Sequence, residues 1–154
     1  MKQINTAGAY YRSALIAFGV IAASGCLLFA GLAAGLSASG ADGGSFWYAA
    51  AFWLLIWTPF GVYNAAQYRY YKTVTLSNLQ SVEPNGTDTS FFRSVGLRAT
   101  VDFRGTRTAV VTKHVFGAGL AGPNRIDDYI GRTVEIGYNE KKDEWIVTAV
   151  QLKP

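Results

Sequence analysis

The chain has 154 residues, of which 50% are hydrophobic and 16% are charged, against about 25% charged residues in a typical soluble domain. This composition excludes an intrinsically disordered chain, and a single cysteine excludes a disulfide framework. Before residue 73 there are four basic residues and one acid, Asp42, whereas the remainder is nearly neutral. The basic residues flank apolar runs instead of forming a patch, so we expect a membrane topology and no nucleic-acid partner.

Two uncharged runs, residues 13–36 and 46–66, predict a transmembrane helical hairpin. At about 1.5 Å per residue they extend about 36 and 31 Å, enough to cross a hydrocarbon core of about 30 Å. We predict helices at about 13–36 and 46–67, within a hairpin domain of residues 1–72 that precedes a domain of residues 73–154. A buried hairpin of a soluble bundle is one alternative. A cleaved signal peptide is another for the first run, although its apolar part is typically about 7–15 residues long.

The positions of lysine and arginine predict the orientation of this hairpin. Lys2 and Arg12 precede the first run, Arg69 and Lys72 follow the second, and the turn between the runs has neither residue. Both termini are therefore expected in the cytoplasm, with the helices in a bacterial cytoplasmic membrane. Aromatic residues at the ends of the runs are expected to anchor at headgroup depth: Tyr10, Tyr11, Trp47, Tyr48, Tyr70 and Tyr71.

The first run is rich in small residues, which favours close packing against another helix. Its predicted packing face contains Gly19, Ala23, Gly31 and Gly35, the last two forming a G-x-x-x-G pair. The alternative is the ordinary glycine and alanine content of membrane helices. Neither run holds an ionisable group at depth, which argues against a self-contained transporter or ion pump.

After residue 72 the hydrophobic period changes to two, which is typical of strands. With no long helix in this part, the pattern predicts a small OB- or SH3-like β-barrel, and the whole chain is expected to be an α+β membrane protein. Predicted strands cover residues 73–82, 95–104, 106–116, 133–138 and 145–150, with a glycine-rich loop at 117–124 and a helical turn at 126–130. The predicted core contains Val95, Leu97, Val101, Phe103, Val111, Val115, Val134, Ile136, Trp145 and Val147.

The sequence contains no recognisable catalytic set. His114 is the only histidine and Cys26 the only cysteine, so neither a zinc cluster nor a histidine-based triad with a recognisable nucleophile is expected. Residues 117–122 imitate the G-x-G-x-x-G pattern, but Pro123 follows and no helix is predicted after them to bind a phosphate. We therefore expect a non-enzymatic protein without a metal or cofactor.

One predicted hairpin concentrates positive charge. It carries Arg98, Arg104, Arg107, Lys113 and His114, with Asp102 as the only acid among them. A solvated outer face is the simplest interpretation. The alternatives are contact with lipid headgroups, with an acidic partner surface or with an anionic small ligand, since arginine suits planar recognition of phosphate and carboxylate.

The segments 130–139 and 145–150, with the earlier hairpin at 101–105, resemble the soluble part of a broad group of bacterial membrane proteins with N-terminal helices and a small β-domain. The layout is also similar to membrane-anchored NfeD-type proteins and to antiphage effectors with two membrane helices and a nucleotide-sensing barrel. Because the chain has candidate interaction surfaces in both parts and no catalytic set, we expect a structural or adaptor subunit of a multisubunit membrane assembly, homo- or hetero-oligomeric, that packs through small-residue helix faces and docks partners with its β-domain. The alternative is a membrane effector whose barrel senses an anionic ligand such as a nucleotide and drives clustering of the helices.

Overall fold

The chain is described by a computed structural model, which covers residues 5–89, 95–115 and 129–150 and the backbone of Lys2–Gln3. Its architecture is α+β, as predicted, with two long helices and two small antiparallel sheets. The predicted loop at 117–124 and most of the predicted turn at 126–130 lie outside the described residues. The elements are β1 (Lys2–Gln3), α1 (Thr6–Ala38), α2 (Gly44–Thr73), β2 (Ser77–Val82), β3 (Gly86–Thr89), β4 (Val95–Phe103), β5 (Thr106–Val111), β6 (Val134–Asn139) and β7 (Glu144–Val150).

Two compact units share the chain. The helical unit is Ala14–Ala66, and the strand unit combines Met1–Ser13 with Gln67–Pro154. The strand unit therefore includes the first residues of α1 and the last residues of α2, whereas the sequence placed the division near residue 72.

In the helical unit, the contacts between the two helices include the aromatic pairs Phe18–Trp57 and Phe29–Trp53 and the packing of Trp53 on Gly25. The Trp53 Nε1 donates a hydrogen bond to the Ile21 carbonyl at 3.1 Å. A Cβ atom at Gly25 would lie only 2.1 Å from that nitrogen, so the ring occupies space that only glycine leaves open. Both helices are long and apolar enough to cross a membrane by length and composition.

In the strand unit, one sheet has the order β1-β7-β6-β2 and the other has the order β3-β4-β5. Among the described residues, no strand ladder joins the sheets, so the closure expected for a barrel is not found. A single bridge between Thr112 and Trp145 links them. Gln80 and Asp102 also exchange two hydrogen bonds, of 2.7 and 2.9 Å, between β2 and β4. The strand unit is therefore two small sheets that have polar links between them and that share one hydrophobic cluster, in which Leu97 and Val101 lie with Ile136.

The two predicted hairpins are confirmed. Arg104 and Gly105 both have positive φ, of 52° and 80°, which is the backbone of a tight two-residue hairpin turn between β4 and β5. The β6–β7 hairpin turns around residues 140–143.

The predicted strand at 73–82 is shorter, because α2 continues to Thr73 and β2 begins at Ser77. The strands β1 and β3 were not predicted.

The predicted core is largely confirmed, with one clear error. Val111 is 45% exposed, because it pairs with Arg98 and shares the outer face of the hairpin with it. Thr112 takes the inward position instead, and its hydroxyl accepts a hydrogen bond from the Leu97 N–H at 2.9 Å. Phe103 is only partly buried. The buried side chains that the alternation missed include Tyr11, Tyr71, Tyr129, Tyr138, Ile146 and Val150.

Candidate functional site

A buried carboxylate, Glu144, organises the polar interior of the strand unit. Its Oε1 accepts hydrogen bonds from the Tyr71 hydroxyl and from Asn139 Nδ2, and its Oε2 lies 3.7 Å from Lys113 Nζ. Such partners are needed because removing an ion from water costs several kcal/mol. We call these four residues the Glu144 cluster. Sequence reasoning missed it, because residues 139–144 have the composition of a solvated turn.

Tyr71 belongs to the strand unit and follows the uncharged run of α2. Burial, the hydrogen bond to Glu144 and the charge of that carboxylate together raise the pKa of Tyr71 far above its ordinary value. The Tyr71 hydroxyl therefore keeps its proton near neutral pH and donates its hydrogen bond to Glu144. Its ring also stacks on the ring of Tyr11, with centroids 5.3 Å apart, so the beginning of α1 and the end of α2 are held together.

Lys142, in the β6–β7 turn, contacts three residues at the end of α2. Its ammonium group lies 4.2 Å from the Tyr70 ring centroid and 4.6 Å from that of Tyr71. It also donates a hydrogen bond to Gln67 Oε1 at 2.7 Å. Cation–π contacts of this kind stabilise by about 0.5–1 kcal/mol at exposed sites.

Asn5 makes a second connection at the same place. Its Oδ1 accepts a hydrogen bond from the Gly8 N–H at 2.9 Å, which caps α1, and its Nδ2 donates to the Tyr71 carbonyl at 2.8 Å. Asparagine is among the preferred N-cap residues, so the sequence contained a signal for this helix start. The second bond depends on the tertiary fold and had no such signal.

His114 is 7% exposed and lies among aromatic rings. It stacks on Tyr10, with centroids 4.4 Å apart, and meets the edge of Tyr11 at 5.2 Å. Within the described part of the chain, neither ring nitrogen has a hydrogen-bond partner. Burial, with the nearby charges of Lys113 and Lys142, lowers the pKa of His114 to about 4. The imidazole is therefore neutral at pH 7.

The predicted cationic residues do not form one site. Arg98 lies 3.4 Å from Asp88 in an exposed ion pair, and Arg107 lies opposite Asp102 in the register of the hairpin. Arg104 covers the Phe103 ring at 4.9 Å. Lys113 belongs to the Glu144 cluster, and His114 is buried and neutral. These side chains are consequently distributed over an outer face, a turn and the interior.

An open groove lies between β5 and the β6–β7 turn. It has a volume of about 420 Å³. Three contacting aromatic rings form part of its lining, Phe103, Tyr138 and Trp145, with centroids 4.6 to 5.5 Å apart. The Tyr138 hydroxyl donates to Asp143 at 2.6 Å, and this hydrogen bond raises the pKa of Tyr138. The remaining lining residues are Thr108, Val110, Val111, Lys113, Lys142, Asp143 and Glu144.

In the helical unit, the predicted small-residue face is open. A Cβ atom at Gly19, Gly31 or Gly35 would meet no other atom within 4 Å, whereas Gly25 contacts Trp53. Ala23 is also exposed. The G-x-x-x-G pair therefore does not contribute to the contact between α1 and α2.

The predicted membrane-interface aromatics fall into two groups. Trp47 and Tyr48, at the beginning of α2, are exposed. The tyrosines Tyr10, Tyr11, Tyr70 and Tyr71 have partners inside the strand unit, and the Tyr70 hydroxyl donates to Asn139 Oδ1 at 3.2 Å. A run of tyrosines beside an apolar segment fits both an interfacial belt and a docking contact, and the sequence alone does not distinguish them.

Among the described residues, no group of three or more His, Cys, Asp or Glu side chains could hold a metal ion. Comparisons with protein-family models, with curated proteins and with solved structures found no match to this chain. The family resemblance of residues 101–105, 130–139 and 145–150 therefore stays a prediction, and the function is inferred from the geometry of the two units.

Proposed function

We propose that this chain is a non-enzymatic subunit of a cytoplasmic-membrane assembly. In this proposal the helical unit crosses the bilayer and associates laterally through α1, while the strand unit docks a cytoplasmic partner. The observation that carries the proposal is the contrast between Gly25, which is in contact with Trp53, and the open glycines at 19, 31 and 35.

The exposure of large apolar side chains supports the membrane part of the proposal. Many of the long aliphatic and aromatic residues of α1 and α2 point away from the rest of the helical unit, among them Ile16, Val20, Leu27, Leu28, Phe52, Leu55 and Val62. Removing such a surface from water contributes about 25 cal/mol per Å². Contiguous apolar faces of this kind mark membrane or protein contacts.

The open small-residue face supports lateral association. Lipid is as apolar as leucine, so helices associate in a bilayer mainly through close packing, and small residues permit that approach. Within α1, the contact with α2 uses Gly25, while Gly31 and Gly35 remain free of contacts. A second helix, from another copy or another subunit, has access to this face.

The distribution of basic residues supports a cytoplasmic strand unit. Lys2, Arg12, Arg69 and Lys72 all belong to it, whereas the connection between α1 and α2 carries Asp42 and no basic residue. Lysine and arginine next to membrane helices favour the cytoplasmic side. The proposal therefore places both termini in the cytoplasm.

The state of the polar groups favours a scaffold over an enzyme. The buried carboxylate Glu144 is occupied by donors from its own chain, and the single histidine is buried between tyrosine rings. The alternative function, an effector that senses an anionic ligand, has less support, because Arg98, Arg104 and His114 are in separate surroundings.

The test measures self-association of the full chain in lipid nanodiscs or mild detergent. Replacing Gly31 and Gly35 together by leucine fills the face without touching α2. If the face is an interface, we expect the dissociation constant of the oligomer to rise at least about tenfold, equivalent to about 1.4 kcal/mol. The readout is Förster transfer between donor- and acceptor-labelled chains diluted in lipid.

The matched control is Gly61→Leu, because Gly61 lies in α2 and a side chain there also meets nothing within 4 Å. It should leave association unchanged. If the wild-type chain is monomeric at every protein-to-lipid ratio and recovers no partner from native membranes, the lateral-association proposal fails. An equal effect of both substitutions contradicts the role of this particular face.

A further inference from the structure

The outer edge of β5 offers unpaired backbone groups. Among the described residues, β5 is the edge strand of its sheet and forms its ladder with β4 alone. The Thr112 N–H donates to the Leu97 carbonyl at 2.9 Å. Antiparallel strands alternate the direction of their backbone groups, so the N–H and C=O groups of Arg107, Ala109 and Val111 point away from β4. The parallel bridge of Thr112 with Trp145 takes up the end of this edge beside Val111, and among the described residues Arg107 and Ala109 have no ladder partner other than β4.

The free part of the β5 edge ends where the residues after β5 pair with β7 of the other sheet. There the Lys113 N–H donates to the Trp145 carbonyl at 2.8 Å. Between this junction and the β4–β5 turn, the unpaired edge lies beside the groove of about 420 Å³ described above. Edge strands are usually protected by a proline, a bulge or inward charges. β5 has no proline, and its register with β4 is regular.

We propose that this edge and groove bind an extended segment of a partner protein by strand addition. The proposal specifies the docking part of the proposed function and rests on it. A partner strand would pair with the backbone of Arg107 and Ala109, and its inward side chains would lie on the rings of Phe103 and Trp145.

Backbone geometry specifies a polypeptide as the occupant. The unpaired groups recur at every second residue, and an extended chain repeats its donors and acceptors with the same period. The aromatic lining provides a place for an apolar side chain. A phosphate or a nucleotide would use neither feature.

Charge specifies an acidic partner and disfavours a second copy. The charged residues of β5 and the preceding turn are Arg104 and Arg107, of which Arg107 lies opposite Asp102 of β4. Arg104 has no carboxylate within ion-pair distance among the residues described. Two copies placed edge to edge would bring these cations together, whereas a strand containing glutamate or aspartate would compensate them.

The experiment uses the full chain in detergent or nanodiscs, with empty micelles or nanodiscs as the blank. The probe is a fluorescent, capped heptapeptide of alternating Glu and Val with a central Phe, titrated by anisotropy. Two further peptides carry N-methyl groups on alternate residues, one set on the odd positions and the other on the even positions. Strand addition predicts that one set abolishes binding and the other does not, since only alternate N–H groups face β5.

The protein variant is Ala109→Pro, which removes an outward N–H without removing a bond to β4. We expect the dissociation constant of the peptide to rise at least tenfold. The matched control is Ala109→Ser, which keeps the N–H and should bind normally. If the proline variant does not fold, Thr108→Trp fills the groove without changing the backbone, and we expect the same loss of affinity.

Several results overturn the proposal. No saturable binding to the wild-type chain is one, and equal loss with both methylated peptides is another, because it indicates adsorption through side chains alone. A third is a change of oligomeric state in Ala109→Pro with no effect on the peptide, which would assign the edge to a second copy. The paired substitution of Gly31 and Gly35 should leave peptide binding intact, so failure of lateral association and failure of strand addition are distinguishable.

Discussion

The two units of this protein differ in how they distribute large apolar side chains. In the helical unit, Gly25 accommodates Trp53 and the rings of Phe18 and Phe29 contact α2, but many other large apolar residues are exposed. In the strand unit, large apolar residues point inward, and buried polar groups such as Glu144 have partners from the same chain. The difference supports the proposal that the helical unit crosses a bilayer while the strand unit lies in water.

Removing the central carboxylate is expected to have the largest effect on the strand unit. Glu144→Ala leaves the buried hydroxyl of Tyr71 and the amide of Asn139 without their acceptor, and leaves Lys113 without its carboxylate. Each buried donor left without an acceptor costs about 1–3 kcal/mol. Denaturant unfolding of the purified chain, followed by near-ultraviolet circular dichroism, measures this loss. A change below 1 kcal/mol, on the scale of an exposed charge pair, contradicts the role given to Glu144.

Acidification is expected to weaken the same unit through His114. Its pKa is lowered from 6.5 to about 4 in the folded chain, so the unfolded chain takes up a proton first as pH falls. Stability is therefore expected to decrease between about pH 6.5 and pH 4, by about 3 kcal/mol for a shift of this size. Unfolding midpoints measured across this range test it.

The matched variant for that series is His114→Phe, which keeps a ring against Tyr10 and removes the titrating group. Its stability should be less dependent on pH over the same interval. An identical pH dependence in the variant and in the wild-type chain assigns the effect to other groups.

Filling the helix contact is expected to perturb the helical unit to a smaller extent. Gly25→Ala places a methyl group where the Trp53 ring lies, and overpacking typically costs about 1–3 kcal/mol. The indole resonance of Trp53, which reports its hydrogen bond to the Ile21 carbonyl, should shift in spectra of chains labelled with ¹⁵N-tryptophan. Gly19→Ala enters open space and should leave the resonance unchanged. A shift of equal size in both variants would falsify the assigned contact.

The smallest effect is expected at the exposed ion pair of the β3–β4 ladder. Asp88→Asn removes the partner of Arg98, but both side chains are more than half exposed. Such pairs contribute about 0–1 kcal/mol, and less at high salt. We expect a change below about 0.5 kcal/mol in denaturant unfolding. A loss above 1 kcal/mol would mean that this face contributes more to stability than its exposure suggests.

Local pattern predicted most of the regular structure. The uncharged runs gave the two helices, and alternation around Val101 and Ile136 gave both hairpins, because each signal lies within one element. Val111 was assigned to the wrong face, since valines occur at both 110 and 111 and only the register with Arg98 decides which one points inward. Strands as short as β1 and β3 had no periodic signal.

The candidate sites were less accessible to sequence reasoning. The Glu144 cluster joins the end of α2 to β7 and its preceding turn. No local sequence pattern around Glu144 or Tyr71 predicts the contact between them. The five predicted cationic residues lie close together along the chain. In the structure, however, His114 is buried whereas Arg98 is exposed. The small-residue face was recognisable from Gly31 and Gly35, although the sequence did not distinguish these glycines from Gly25, which is used within the hairpin.

The most direct test of the membrane account is cysteine accessibility in intact cells. In a Cys26→Ala background, single cysteines replace Ser39 between the helices and Glu83 in the strand unit, and a membrane-impermeant maleimide is applied from outside. We predict that the Ser39→Cys chain is labelled in intact cells, and that the Glu83→Cys chain is labelled only after permeabilisation. Labelling of Glu83→Cys from outside, or recovery of the chain in the soluble fraction without detergent, would contradict the account.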